Sequence, residues 1–330
     1  MMRYIESGET NPYYNLALEQ HVFDSLPREH EYVMLWRNDN AIIVGKHQNT
    51  AGEINPAYVK EKGIRVARRL SGGGAVYHDL GNVNYTFIVN SRGLDSFDFA
   101  SFCRPVARAL AELGVAAEIN GRNDMTIEGR KFSGNAQYCK SGRILHHGTI
   151  LYDSDLSVVG EALKPPKDKI ESKGLASVQS RITNVKRHMR EDVPVERFMD
   201  ILRAFMFREN SLVPYVLTPE DRAAIKKLQK ETYETWRWNF GASPAYAIRK
   251  ERRIEGCGAI EVFMNVRRGE ITEIAFFGDY FGNRDTAELA ALLTGRRMEE
   301  ADLAAAVRGV NLGEYMHNLD EQTFLAILTG

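Results

Sequence analysis

Arg68 and Arg69 lead, across one leucine, into Ser71 and three consecutive glycines, Gly72, Gly73 and Gly74. A guanidinium fork suits a phosphate or carboxylate, and the N–H groups of a glycine-rich turn can line an anion. Three glycines in a row weaken any regular element through lost chain entropy, so they belong where backbone approaches something closely or takes positive φ. The other reading is a glycine-rich hairpin connection with surface arginines. A second dense segment holds Arg122, Asn123 and Asp124, then Lys131 and Ser133 beyond the turn Glu128-Gly129. A lysine on a strand is ordinarily a solvated edge charge; here its polar company points to a site. His146 and His147 open a strand, and adjacent strand residues face opposite ways. They are poor joint ligands for one metal, and one of them is expected to line a pocket as a hydrogen-bonding wall.

Known motifs narrow the chemistry. The chain lacks GxxxxGK[ST], GxGxxG between strand and helix, GxSxG and a helical HExxH, which argues against a P-loop, a Rossmann site, a nucleophile elbow and a zinc hydrolase. No carboxylate pair stands out as in a glycosidase. Cys103, Cys139 and Cys257 are too scattered for a disulfide framework or zinc knuckle. Neither Cys139 nor Cys257 has a histidine nearby in sequence, so both read as structural thiols. Glycines, arginines, a lysine and histidines without an obvious nucleophile suit electrostatic stabilisation of a phosphoryl or acyl-phosphate reaction.

Composition sets the frame. At 330 residues, with 44% hydrophobic and 26% charged side chains, the chain reads as an ordinary globular protein with room for a large and a small domain. A formal net charge of −1 gives no sign of nucleic-acid or membrane binding. No run approaches the length of a bilayer span and the N-terminus has no apolar signal region, so the reducing cytoplasm is expected.

Spacing then predicts the elements that hold these groups. Residues 3–7 read as a first strand, with Asn11 and Pro12 as N-cap and first residue of a helix. Residues 32–36 and 41–45 read as strands around the turn 37–40, and the polar cluster Lys46-His47-Gln48-Asn49 as solvated loop. The strand at 64–67 delivers the glycine run; others follow at 75–77 and 85–89. Phe99, Phe102, Val106, Leu110 and Leu113 recur at three and four, so 97–113 reads as an amphipathic helix that Gly114 stops. Residues 164–174, rich in Lys, Pro and Gly, read as a basic exposed loop. A boundary is expected near 236–244, giving domains 1–243 and 244–330, the second a small α+β module of about three strands and three helices.

The run Arg68-Arg69-Leu70-Ser71-Gly72-Gly73-Gly74-Ala75-Val76-Tyr77-His78-Asp79-Leu80-Gly81-Asn82 resembles the signature of the lipoate–protein ligase A family. Gly121-Arg122-Asn123-Asp124, Arg130-Lys131-Phe132-Ser133-Gly134, His146-His147-Gly148-Thr149-Ile150-Leu151, Ser180-Arg181-Ile182-Thr183-Asn184 and Trp238-Asn239-Phe240-Gly241 are similar to that family's segments, in its order.

The resemblance implies an α/β (α+β) catalytic domain, a mixed β-sheet flanked by helices, akin to biotin–protein ligases and the class II synthetase core. A small C-terminal accessory domain follows. It also implies a two-step reaction: lipoate and Mg·ATP give lipoyl-AMP, and a lysine of an acceptor then takes the lipoyl group. The implied acceptors are lipoyl domains of 2-oxoacid dehydrogenase E2 subunits and the glycine-cleavage H protein; octanoate is a possible second substrate, and a monomer is expected. By the same resemblance Lys131 would bridge acyl carbonyl and phosphate, and Arg69 would hold ATP phosphates. Ser71, Gly72, Gly73, Gly74, Ala75, Val76 and Tyr77 would present the loop to the nucleotide. Asn82 and Asp124 would meet nucleotide or Mg²⁺, His147 and Thr149 would line the acyl pocket, and the loop at 164–181 would cover the adenylate. The rivals are an octanoyl or lipoyl transferase of the same fold and a non-catalytic adenylate sensor.

Overall fold

The computed structural model describes residues 2–91, 98–120, 123–163, 181–206, 212–241, 248–267 and 269–329. The basic loop expected at 164–174 and the boundary expected between 243 and 244 lie outside the described residues. Two compact units emerge: residues 1–44, 50–69 and 75–239 in the first, and 45–49, 70–74 and 240–330 in the second.

The strands of the first unit are β1 (Met2–Glu6), β2 (Glu31–Trp36), β3 (Ala41–Val44), β4 (Arg65–Arg68), β5 (Val76–His78), β6 (Asn82–Asn90), β7 (Glu118–Asn120), β8 (Asp124–Ile127), β9 (Arg130–Lys140), β10 (Arg143–Leu151) and β11 (Val213–Pro214). Among the described residues they form an eight-stranded sheet, β11-β1-β2-β6-β10-β9-β8-β7, and a three-stranded sheet, β4-β3-β5. The large sheet is mixed, for β1 runs parallel to β2 and β11 while the other neighbours are antiparallel.

Its long helices are α1 (Pro12–Ser25), α2 (Phe99–Glu112), α3 (Val195–Met206) and α4 (Pro219–Leu228). Asn11 caps α1 as its sequence foretold, accepting from the Tyr13 N–H at 3.0 Å. Alternation along β6 divides the packing. Val83, Tyr85, Phe87 and Val89 enter one core with Phe102, Val106 and Leu110 of α2 and Phe198 and Leu202 of α3. Ile88 enters the other with Leu16 and Val22 of α1, Met34, Leu145 and Ile225 of α4. Helices therefore flank both faces. Burying each such side chain fully stabilises the fold by about 1.5–3 kcal/mol.

In the second unit β12 (Ile248–Ile254), β13 (Gly258–Arg267) and β14 (Glu270–Gly278) form an antiparallel sheet. Helices α5 (Thr286–Leu293), α6 (Glu300–Val307) and α7 (Glu321–Thr329) close its core around Val262, Met264, Phe276, Leu289, Leu303 and Phe324. The loops 45–49 and 70–74 fold with this module. Lys46 N donates to Ser71 O and Gly278 N to His47 O, each at 2.8 Å, and the His47 ring stacks on Tyr280 at 4.6 Å. The cluster read as solvated loop is thus partly interior: His47 and Gln48 are buried, and Gln48 Oε1 accepts from Gly45 N at 2.8 Å. A Cβ on Gly72 would collide with the Tyr280 carbonyl oxygen, so at that glycine the close approach is to the chain itself.

Candidate active site

Strand register decides which side chains of the first unit share a face. Across β6 and β10, Asn84 stands opposite Thr149 and Thr86 opposite His147. Across β9 and β8, Gly134 stands opposite Asp124, and Gly134 N donates to Thr149 Oγ1 at 3.1 Å. With a side-chain period of two, Asn82, Asn84, Thr86, His147, Thr149, Gly134 and Asp124 all point one way.

Lys131 joins this row. A register shift between Met125 and Thr126 sets it opposite Thr126, and its Nζ lies 2.7 Å from Asp124 Oδ1 with both side chains half-exposed. Gly134 leaves room for it: a Cβ there would sit 3.0 Å from Nζ. The Lys131 carbonyl accepts from Thr183 N at 2.9 Å, which ties the Arg181-Ile182-Thr183-Asn184 segment alongside β9.

Farther along the same face the charge is buried. Glu19, only 3% exposed, accepts from Thr86 Oγ1 at 2.5 Å and meets His147 Nδ1 at 3.0 Å, while Trp36 Nε1 donates to Thr86 Oγ1 at 2.9 Å. Arg69 is buried too, donating to Ile43 O at 3.0 Å. Burial lowers its pKa to about 10, against which the Glu19 charge works, so it stays a cation at neutral pH. Burial, then the Arg69 charge, hold His78 down to about 3, a neutral imidazole. Asn38 Nδ2 donates to His78 Nδ1 at 3.1 Å, leaving the ring proton on Nε2. That atom, Asn82 Oδ1 and Asn84 Nδ2 are buried without a protein partner. Each such group costs about 1–3 kcal/mol unless water or a ligand meets it.

The structure therefore brings together Lys131, Asp124, Asn82, Thr149 and His147, with Arg69 in the electrostatic neighbourhood of Glu19 and His78. His146 faces the opposite core, stacked on Phe102 at 4.6 Å, so the histidine pair divides as the alternation predicts. Tyr77 is buried and donates to Asn40 Oδ1 at 3.2 Å, beside the half-buried Ala75 and Val76. Ser71, Gly72, Gly73 and Gly74 belong to the second unit. Arg68 is taken up structurally, its N–H reaching Asn239 Oδ1 at 2.9 Å, Nε the Trp238 carbonyl at 2.9 Å and Nη2 Thr50 Oγ1 at 2.7 Å. Among the described residues no cluster of His, Cys, Asp or Glu could by itself hold a metal. Sequence reasoning missed Glu19, His78 and Asn84. The polar-apolar alternation of Asn82-Val83-Asn84-Tyr85-Thr86 could have revealed Asn84, whereas Glu19 sits on a helix buried nearly all round.

A half-exposed ammonium, a buried guanidinium and two amide atoms left without protein partners suit an enzyme that handles a carboxylate or phosphate. Residues 11–207 match the family described as Lipoyl protein ligase A/B catalytic domain, and residues 243–328 match Bacterial lipoate protein ligase C-terminus. The chain is 43% identical to the lipoate-protein ligase LplJ of Bacillus subtilis, over 99% of this chain and 100% of that one. A solved structure of P. falciparum LipL1 in complex with lipoate superposes with TM-score 0.79 at 25% identity, covering 100% of this chain and 98% of that one. One of lipoate-protein ligase A bound with ATP gives 0.61 at 27% identity, covering 73% and 98%. The chain belongs to the lipoate–protein ligase family, enzymes that use ATP to join lipoate to protein.

Proposed function

We propose that this enzyme first lets the lipoate carboxylate attack the α-phosphorus of ATP, expelling pyrophosphate and leaving lipoyl-AMP. The neutral ε-amino group of an acceptor lysine then attacks the acyl carbon and expels AMP. The observation that carries this reading is the half-exposed Lys131 Nζ, held 2.7 Å from Asp124 on the face that also bears Thr149 and His147. An ammonium fixed there would stabilise the charge that develops on carbonyl and phosphate oxygens in both steps. His147 and Thr149 would line the acyl pocket, Arg69 would supply a guanidinium for the phosphates, and the backbone from Ser71 to Tyr77 would border the nucleotide.

The residues fit a Mg²⁺ that arrives on the nucleotide: Asp124 offers a half-exposed carboxylate and Asn82 an unpaired Oδ1, and such an ion needs few protein ligands beside phosphates. When bound it would neutralise phosphate charge.

The acceptors proposed are lipoyl domains of E2 subunits and the H protein. The proposal places the catalytic work in residues 1–243, with 244–330 as accessory domain, in a monomer. Three free cysteines agree with a reducing cytoplasm, and no helix among the described residues is long and apolar enough to cross a membrane. The test is lipoate-dependent ATP–pyrophosphate exchange followed by transfer to a purified lipoyl domain. Transfer solely from an acyl-protein donor, with no exchange, would replace this reading by the transferase.

A further inference from the structure

Behind the face that carries Lys131, the register lines up three residues of neighbouring strands. Tyr85 of β6 stands opposite Gly148 of β10, and Gly148 stands opposite Asn135 of β9. Because Gly148 has no side chain, the Tyr85 hydroxyl passes over it and donates to Asn135 Oδ1. A Cβ at 148 would collide with that same oxygen and with the Tyr85 ring. Asn135 in turn grips the residue before Asp124 at three points. Its N–H donates to the Asn123 carbonyl at 2.8 Å and its Nδ2 to the same oxygen at 3.1 Å, while Asn123 Nδ2 donates back to the Asn135 carbonyl at 2.7 Å. Tyr85 and Asn135 are buried, and the Tyr85 ring is packed beside Phe87 and His146.

We propose that this bracket of Tyr85, Asn135 and Asn123 is a positioning device for adenylation, fixing the Asp124 carboxylate and, through it, the ammonium of Lys131. Asp124 follows Asn123 directly, and its partner across the strands, Gly134, precedes Asn135, so the carboxylate that holds Lys131 Nζ at 2.7 Å hangs from the bracketed backbone. In a buried, low-dielectric setting a connected polar network is stiff, and loss of one member leaves the rest unsatisfied. Without the Tyr85 hydroxyl the Asn135 amide can turn, the Asn123 carbonyl loses a donor, and the backbone step from Asn123 to Asp124 relaxes. A misplacement of about 1 Å is enough to cost a catalytic group most of its effect.

The proposal rests on Lys131 being the cation of the adenylation step, so the experiment carries a control for that reading. Full-length wild type, Lys131→Ala, Tyr85→Phe and Asn123→Ala are compared in lipoate-dependent ATP–pyrophosphate exchange, with kcat and both KM values measured. Thermal melting reports folding. Tyr85→Phe keeps the ring and its packing, and Asn123 is half-exposed, so its variant serves should the first not fold. The expected result is a fall in kcat of about tenfold with each KM within about twofold, in variants that melt below wild type yet remain folded at the assay temperature. Wild-type kcat in the folded variants, or a rise in KM alone, overturns the bracket while Lys131→Ala remains inactive. Normal exchange by Lys131→Ala overturns the reading beneath it as well.

Discussion

The Glu19 carboxylate accepts from Thr86 and meets His147 while almost wholly buried, and its charge supports Arg69. Such an arrangement is stable only as a set, because a buried charge without partners is costly. The neighbouring histidines are neutral for the same reason. Burial holds His78 down to about 3 and His146 well below its ordinary 6.5. Between the folded and unfolded values the unfolded chain binds protons that the folded one does not. Stability is therefore complete above about pH 6.5 and falls as the pH drops, for His78 through to about 3. Each histidine contributes a slope of about 1.4 kcal/mol per pH unit. His146→Phe, which keeps an aromatic ring beside Phe102, is expected to flatten that acid limb in urea titrations between pH 4 and 7; an unchanged slope would contradict it. At this scale Lys131 and Asp124 became candidates because charged and polar types stood together in sequence, whereas His147 was singled out from His146 by the family resemblance. Glu19 was not, since only packing shows that its surroundings are dry.

Strands carry these residues, and their alternation was largely legible. Period two placed His146 and His147 on opposite faces, and β6 behaves likewise. Sheet membership was not. The strands read around the turn 37–40 fall in different sheets, because β3 pairs with β4 in parallel and with β5 antiparallel, while β2 lies between β1 and β6. Local pattern reports that a strand exists, whereas its neighbours are settled by contacts distant in sequence. Gly148 illustrates the same limit, since its need for no side chain comes from Tyr85 and Asn135 on other strands. Gly148→Ala is expected to destabilise by about 1–3 kcal/mol through overpacking, with the broken Tyr85–Asn135 contact adding to the loss. Urea unfolding measures it, and wild-type stability would show that the row can yield.

At the scale of the whole molecule, a C-terminal module of about three strands and three helices was foreseen from the change of pattern after the Trp236 segment. That 45–49 and 70–74 fold with it was not, for their partners, Gly278, Tyr280 and Phe281, lie far along the chain. The glycine run thus has a conformation set by the module. Gly72→Ala, forced against the Tyr280 carbonyl, is expected to raise the KM for ATP about tenfold while leaving the KM for lipoate nearly unchanged, as read by exchange kinetics. Equal effects on both would assign Gly72 no nucleotide role. The most direct test of the account compares lipoate-dependent ATP–pyrophosphate exchange by folded Lys131→Ala and wild type. Loss of a fixed cation that stabilises the transition state predicts a fall of at least about a hundredfold. Exchange at the wild-type rate would contradict the account.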